Sequence, residues 1–491
     1  MYLFLAGGTG LLADHFDFSE FERCGRMSVK KAAVFFLFFL FLSGCQALPT
    51  TVRPNLDTVG EIFLYAEPFP KEVAGLSFSL EGISAINEEG QEIPFSPSFQ
   101  QLKAGEPGRQ RLLAMAYLPP GSYRGFSFHV SAAALKSERG EAALAVPGSP
   151  VKVDYPFLVE KKNAYVVSLT LNQEPVKDGH FTPVFQVSVP QRPLSGLLGY
   201  VSNRGADAVM VFDKKKMEVS GAVVTGSDPG AIVVDEVNLK AYVAVSGEDA
   251  VALLDLLSGK IINRTALSPG DAPREIALTP DGRTLLTVNY GTNTVSFIDT
   301  SSLTEVQRVQ VGFAPCSLLM DSAGRRAYVF NSRSNTVSVI DVASMAVVTT
   351  LPTETGPVRG QFNARGDRLY VIFSGSPYLD VIDLRTLSLL QRQYVGADAC
   401  SIKVDPRTDL LYIGRKHDNA VAVYNPFTLI PSYYIRTRGS VSYMTIDARE
   451  GNLYLVIPER KTVSVVNLIS RDVMGEMDVD DPFWVAMTGE R

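Results

Sequence analysis

Apolar and polar positions alternate in short runs through the C-terminal part of the chain. Tyr328 to Phe330 is apolar, Asn331 to Asn335 is a polar tip, and Thr336-Val-Ser-Val-Ile-Asp341 alternates and closes on an acid. β-Branched residues with a period of two predict a β-hairpin. The pattern recurs. Its closing acid or amide falls at Asp213, Asp255, Asp299, Asp341, Asp383, Asn425 and Asn467, at intervals of 42, 44, 42, 42, 42 and 42. Its opening residue falls at Tyr200, Tyr242, Leu286, Tyr328, Tyr370, Tyr412 and Tyr454, at the same intervals. Two markers that keep one register through seven copies define a repeat.

A further apolar run precedes each later hairpin, often after a proline. Examples are Pro229-Gly-Ala-Ile-Val-Val, Pro273-Arg-Glu-Ile-Ala-Leu, Pro315-Cys-Ser-Leu-Leu-Met and Pro357-Val-Arg-Gly-Gln-Phe. Another strand follows, such as Ala346-Val-Val-Thr-Thr-Leu. Four strands per copy predict the blades of a seven-bladed β-propeller over 195–491. The first hairpin, at Tyr200, lacks an inner strand before it, and the last inner strand, Pro482 to Thr488, lacks a hairpin after it. The C-terminal strand is therefore expected to complete the first blade and remove the open sheet edges.

Tyr242-Val-Ala-Val, Leu286-Thr-Val-Asn, Tyr328-Val-Phe-Asn and the run Thr336 to Asp341 resemble the YVTN-repeat β-propellers of microbial surface-layer and secreted proteins. The resemblance implies the fold. It implies no particular activity, because propellers host many.

The N-terminal region has another character. Lys30 and Lys31 precede an apolar run from Ala32 to Leu42, the layout of an export signal too short to span a bilayer. Leu42-Ser43-Gly44-Cys45 resembles the lipobox of bacterial lipoproteins. That resemblance implies cleavage before Cys45, lipidation of its sulfur and a membrane anchor, with Gln46 implying the outer membrane. Asp14, Asp17, Glu20 and Glu22 are out of place ahead of such a signal. Residues 1–26 are accordingly expected to be a misassigned leader, with translation beginning at Met27. Residues 27–44 are the expected signal peptide and 45–58 a tether.

Residues 59–190 do not repeat. Candidate strands are Glu61–Ala66, Leu76–Asn87, Gln110–Leu118, Tyr123–Ala133, Val151–Phe157, Ala164–Leu171 and Val184–Val189, which predict a small β-sandwich. The stretches Leu118 to Val130 and Ala164 to Val189 are similar to a prealbumin-like module of bacterial lipoproteins, which implies no activity. Pro190 to Gly196 is the expected joint. The fold class is thus all-β: a small sandwich, then a propeller.

A net charge of −6 gives no basic bias toward nucleic acid. Cys316 and Cys400 occupy matching repeat positions two blades apart. That places them about 12 Å apart, beyond disulfide reach, so they are expected to be free packed thiols. The residue closing the hairpin is usually followed three positions later by Ser or Thr, as in Asp299/Ser302 and Asp341/Ser344, which fits capping of tight turns.

Candidate chemistry lies where the copies differ. Inner-strand starts offer Arg274, Glu275, Arg359, Tyr443 and Trp484 around the channel mouth. Hairpin tips on the same face offer Tyr290, Arg333, Tyr378, Arg415, Lys416, His417, Arg460 and Lys461. This face is the expected binding surface. Arg415, Lys416, Arg436, Arg438, Arg460 and Lys461 form a basic cluster nearly balanced by Asp418, Glu459, Asp478, Asp480 and Asp481. His417 is the one propeller histidine, so neither a metal site nor a cofactor is expected. These readings describe a lipid-anchored, non-enzymatic binding or scaffold protein of the cell envelope, recognising a protein or glycan. The enzymatic alternative is a lactonase-like hydrolase with Glu275 and Arg359 in its channel.

Overall fold

Strand Thr336–Asp341 is buried along both faces. A strand in the middle of an isolated sheet would bury only one, so this sheet is pressed between two others. The repeats form seven four-stranded antiparallel sheets. Tyr328, Phe330, Val337 and Val339 pack against Leu369, Val371, Phe373 and Ile382 of the following sheet. Their neighbours Ala327, Val329 and Ile340 pack against Leu286, Val288, Val295 and Phe297 of the preceding one. Alternation along each strand therefore serves two interfaces, and this is the packing of propeller blades. The tyrosines that mark the repeat are fully buried there, and Leu286 takes the same place in the third blade.

This computed structural model describes Pro54 and residues 56–489, except 69–74, 99–100, 104–108, 138–139 and 173. The expected leader, signal peptide, lipidation site Cys45 and most of the tether lie outside the described residues. The described chain is all-β, with only short 3-10 turns besides its strands.

Innermost strands Pro229–Asp235, Pro273–Leu278, Pro315–Met320, Pro357–Phe362, Ala399–Val404, Tyr443–Asp447 and Pro482–Met487 adjoin one another in a closed cycle. The last of them pairs antiparallel with Leu198–Asn203, setting Gly199 opposite Met487 and Ser202 opposite Trp484. One blade is thus assembled from both ends of the propeller segment. Gly199 is dictated by this packing: a Cβ there would lie 2.0 Å from the Phe212 ring. Beside the closure, Lys214 Nζ donates to Asp447 Oδ2 at 2.7 Å and to the Thr488 carbonyl at 2.6 Å. Both charged side chains are almost wholly buried.

Hairpin tips are tied to the next blade. Asp207, Asp249, Asn293 and Asn335 adopt positive φ, where short polar side chains are tolerated. Asp249 accepts from the Gly270 and Ala272 amides, Asn293 from Ala314 and Asn335 from Gly356. Within the tips, Asn331 Nδ2 donates to the Thr336 and Ser338 hydroxyls. The closing acids cap their turns as expected. Asp299 accepts from the Ser301 and Ser302 amides and hydroxyls, and these bonds hold its carboxyl down at about 2.

The N-terminal domain contains a five-stranded and a six-stranded sheet around a shared core that includes Phe78, Phe126, Phe128 and Phe185. Strands Leu76–Asn87 and Ala164–Leu171 occupy the spans expected of them. Gly121–Ser137 runs longer than the expected Tyr123–Ala133 at both ends, pairing with Leu76–Asn87, Gly140–Leu144 and Val151–Val159. Pro190 to Gly196 joins two domains that share one core. Phe63, Tyr65, Leu112 and Val166 belong to the same buried cluster as Leu198, Tyr200, Val219 and Met477. Asp478 Oδ2 accepts from Arg111 Nε at 2.8 Å and from the Leu112 amide at 3.2 Å. Gln110 bonds both the amide and the carbonyl of Val219. The sandwich therefore packs on the outer strands of the closing blade and of the blade before it.

Removing one member of a buried ion pair strands the other's charge. Lys214→Ala should cost about 3–5 kcal/mol in chemical denaturation. An exposed pair such as Arg124–Glu88 should cost at most about 1 kcal/mol.

Candidate functional site

Six of the seven inner strands enter their blades with an irregularity in pairing next to the second residue, as between Pro273 and Glu275 or Pro357 and Arg359. The matching repeat position holds Ala231, Glu275, Ser317, Arg359, Ser401, Tyr443 and Trp484, the third residue of six strands and the first of Tyr443–Asp447. Large and charged side chains cluster at this level. Arg359 Nη1 donates to Glu275 Oε1 at 3.0 Å. Tyr443 and Trp484 stack with ring centroids 3.7 Å apart, and the guanidinium carbon of Arg359 lies 5.1 Å from each centroid. The indole Nε1 donates to the Ile232 carbonyl at 3.1 Å, which fixes the ring. Cation–π attraction and the ion pair thus act on one guanidinium.

Burial pushes the Glu275 carboxyl above its ordinary value of 4.5, against the pull of Arg359 and the Ser317 hydroxyl. Burial works against the Arg359 charge too, but Glu275 carries it above its ordinary value.

Beneath this layer lies a channel of about 510 Å³. Its wall runs from Glu275, Ser317, Arg359, Tyr443 and Trp484 past Gln361 and Lys403 to Glu236, Pro280, Asp321 and Ser322. The last four sit in turns that follow the inner strands, so the channel leads toward the face opposite the hairpin tips. Apolar wall is supplied by Ile232, Leu319, Met320 and Met487.

Four of the sequence-selected residues, Glu275, Arg359, Tyr443 and Trp484, therefore come together. The others stand apart from that cluster. Arg274 lies over the Tyr290 ring at 5.3 Å. Tyr378 is exposed and meets Tyr394 edge to face at 5.9 Å. His417 is exposed at a tip with φ of 64°. None of Tyr290, Tyr378 and His417 lines the channel. Several of the basic residues are answered locally: Arg415 by Asp418 at 2.5 Å, Arg438 by Glu476 at 3.4 Å and Lys461 by Asp480 at 2.6 Å. Cys316 and Cys400 are free thiols that burial pushes up to about 11. Among the described residues no cluster of His, Cys, Asp and Glu could hold a metal ion.

Sequence reasoning passed over Gln361 and Lys403. The signal was present: at the fifth position of the inner strand, three other copies carry Val233, Ala277 and Leu319. A polar residue where sister copies are apolar marks a departure from the framework.

A family model described as YNCE-like beta-propeller matches residues 200–405. No curated protein matches the sequence. Similar solved structures include a Desulfotomaculum acetoxidans protein described as functionally unknown, 14% identical, with a TM-score of 0.52 over 60% of this chain and 99% of that one. Kuenenia stuttgartiensis hydrazine synthase is 18% identical, with a TM-score of 0.49 over 60% of this chain and 94% of that one. The dihydro-heme d1 dehydrogenase NirN in complex with DHE is 16% identical, with a TM-score of 0.49 over 62% of this chain and 77% of that one. At such identities the likeness concerns the fold alone.

Trp484 is the only tryptophan of the chain and stacks on Tyr443 beside the ion pair, so its emission reports on Glu275. A carboxyl raised by burial is protonated more readily folded than unfolded. The stabilisation from that proton is full below the unfolded value and is lost as pH rises through the raised one. Acid titration of Trp484 emission should show a transition with its midpoint above 4.5, absent in a folded Glu275→Gln variant. The same midpoint in that variant would assign the transition to another group.

Proposed function

We propose that this protein is a non-enzymatic binding protein of the bacterial cell envelope, with the propeller as its recognition element. The observation that carries the reading is the preformed channel, floored by side chains already fixed by an ion pair and a ring stack. Channels of this size suit specific ligands, and groups ordered before binding lower the entropic cost of association. The lipobox-like Leu42 to Cys45 supports attachment to a membrane through Cys45. The sandwich packed on the closing blade supports its acting as one body with the propeller.

A hydrolase is the second reading. It is favoured by one feature, the buried Glu275 carboxyl raised above its ordinary value inside a cavity. A panel of lactone and ester substrates tests it. Turnover lost in Glu275→Gln would support it, and no turnover of any substrate would set it aside.

Cross-linking in envelope fractions tests the binding reading. The control variant is Gln361→Ala with Lys403→Ala, because both side chains are half-buried in the channel wall whereas Trp484 and Tyr443 belong to the core. Capture of one specific partner or glycan by the native protein, lost in the variant, is the expected outcome. Equal capture by both would contradict a channel site.

A further inference from the structure

Two polar side chains on one strand of the channel wall hold donors and acceptors in reserve. Among the described residues, Arg359 hydrogen-bonds only Glu275, through Nη1, which leaves Nε and Nη2 uncommitted. The carboxamide of Gln361 makes no hydrogen bond to described residues. Both lie on strand Pro357–Phe362, two residues apart. Side chains at that spacing emerge on the same side, roughly 7 Å from each other. Both line the channel.

The chemistry on offer is a set of planar donors, one amide acceptor and a partly apolar wall. Charge selects among ligands that could use it. Arg359 is already neutralised by Glu275 at 3.0 Å. Lys403 is the only other cation of the lining, against Glu236 and Asp321 toward the turn face. The channel therefore has no surplus of positive charge with which to hold an anion, yet it has fixed donors for neutral oxygens. A hydroxyl both donates and accepts, and adjacent hydroxyls on a ring match a guanidinium edge or a carboxamide. The C–H faces of such a ring suit Leu319, Met320 and the edge of the Tyr443–Trp484 stack.

We propose that the channel, entered from the turn face, binds a neutral saccharide whose hydroxyls are held by Arg359 and Gln361. This rests on the binding reading above and names the ligand class of the same site. It also gives the channel polarity: the ligand approaches opposite the hairpin tips, with the aromatic layer as its floor.

Trp484 gives a direct readout on the whole protein in detergent or as isolated. The probes are maltose, cellobiose and diacetylchitobiose as neutral saccharides, with galacturonate and inorganic phosphate as anions. The expected result is a saturable change in Trp484 emission with at least one neutral saccharide and none with the anions. Gln361→Ala should weaken that response about tenfold with an unchanged melting temperature, as for loss of one or two hydrogen bonds. Gln361→Asn, which keeps the amide, should recover part of it. Saturation by the anions alone, no response to any saccharide, or equal affinity in Gln361→Ala would each overturn the proposal. A protein partner captured by cross-linking, with no saccharide response, would remove this proposal and leave the binding reading standing.

Discussion

Everything in the propeller depends on one antiparallel pairing, between Pro482–Met487 and Leu198–Asn203. Blades in an open arc would leave interface side chains at each end without a partner and two inner strands with bare edges. Closing the arc buries Val485, Met487, Tyr200 and Phe212 together and leaves no terminal blade. The cost of bringing distant segments together grows only slowly with the length of chain between them, whereas the buried area gained is that of a whole interface. The Lys214–Asp447 pair stands beside this closure and joins the closing blade to its neighbour. A buried pair of this kind is weak as net stabilisation, but it penalises any arrangement that separates its members.

From closure follow the channel and the position of the sandwich. Strands that converge on one axis must fill the space there or leave a cavity, and this chain does both. Glu275, Arg359, Tyr443 and Trp484 fill one level, while smaller side chains such as Ala277 and Ser317 below and around it leave room. The outer strands of the closing blade and its neighbour are covered by the N-terminal domain, through Gln110, Arg111 and Leu112. That contact joins the domain to the blades that close the ring and leaves the other outer strands facing solvent. It also makes the short connection from Pro190 to Gly196 a link within one core.

The all-β propeller was legible because its markers are backbone requirements repeated in register. A tyrosine buried between blades and an acid capping a tight turn recur wherever the geometry recurs. The sandwich was legible where alternation was clean, as in Leu76–Asn87, and less so at short edge strands such as Glu92–Pro94 and His180–Phe181. The candidate site was legible in part. Glu275, Arg359, Tyr443 and Trp484 stand out because they break the repeat at one position, and a ring brings that position together. What a linear reading lacks is direction along the axis. Tyr290, Tyr378 and His417 share a face with the strand starts, but the cavity leads the other way, through turns that look like framework. The tips also look variable and available, whereas Asp249, Asn293 and Asn335 are engaged with backbone amides of the next blade.

Hydrogen–deuterium exchange, resolved to peptides spanning Leu198–Asn203 and Pro482–Met487, tests the closure most directly. Paired strands inside a cooperative ring exchange only when the ring opens. Both segments should then be protected as strongly as the middle strands of the other blades, such as Thr336–Asp341, and should lose protection together in denaturant. Rapid exchange of Pro482–Met487 while the middle strands remain protected would mean that the ring is open and that the account built on its closure is wrong.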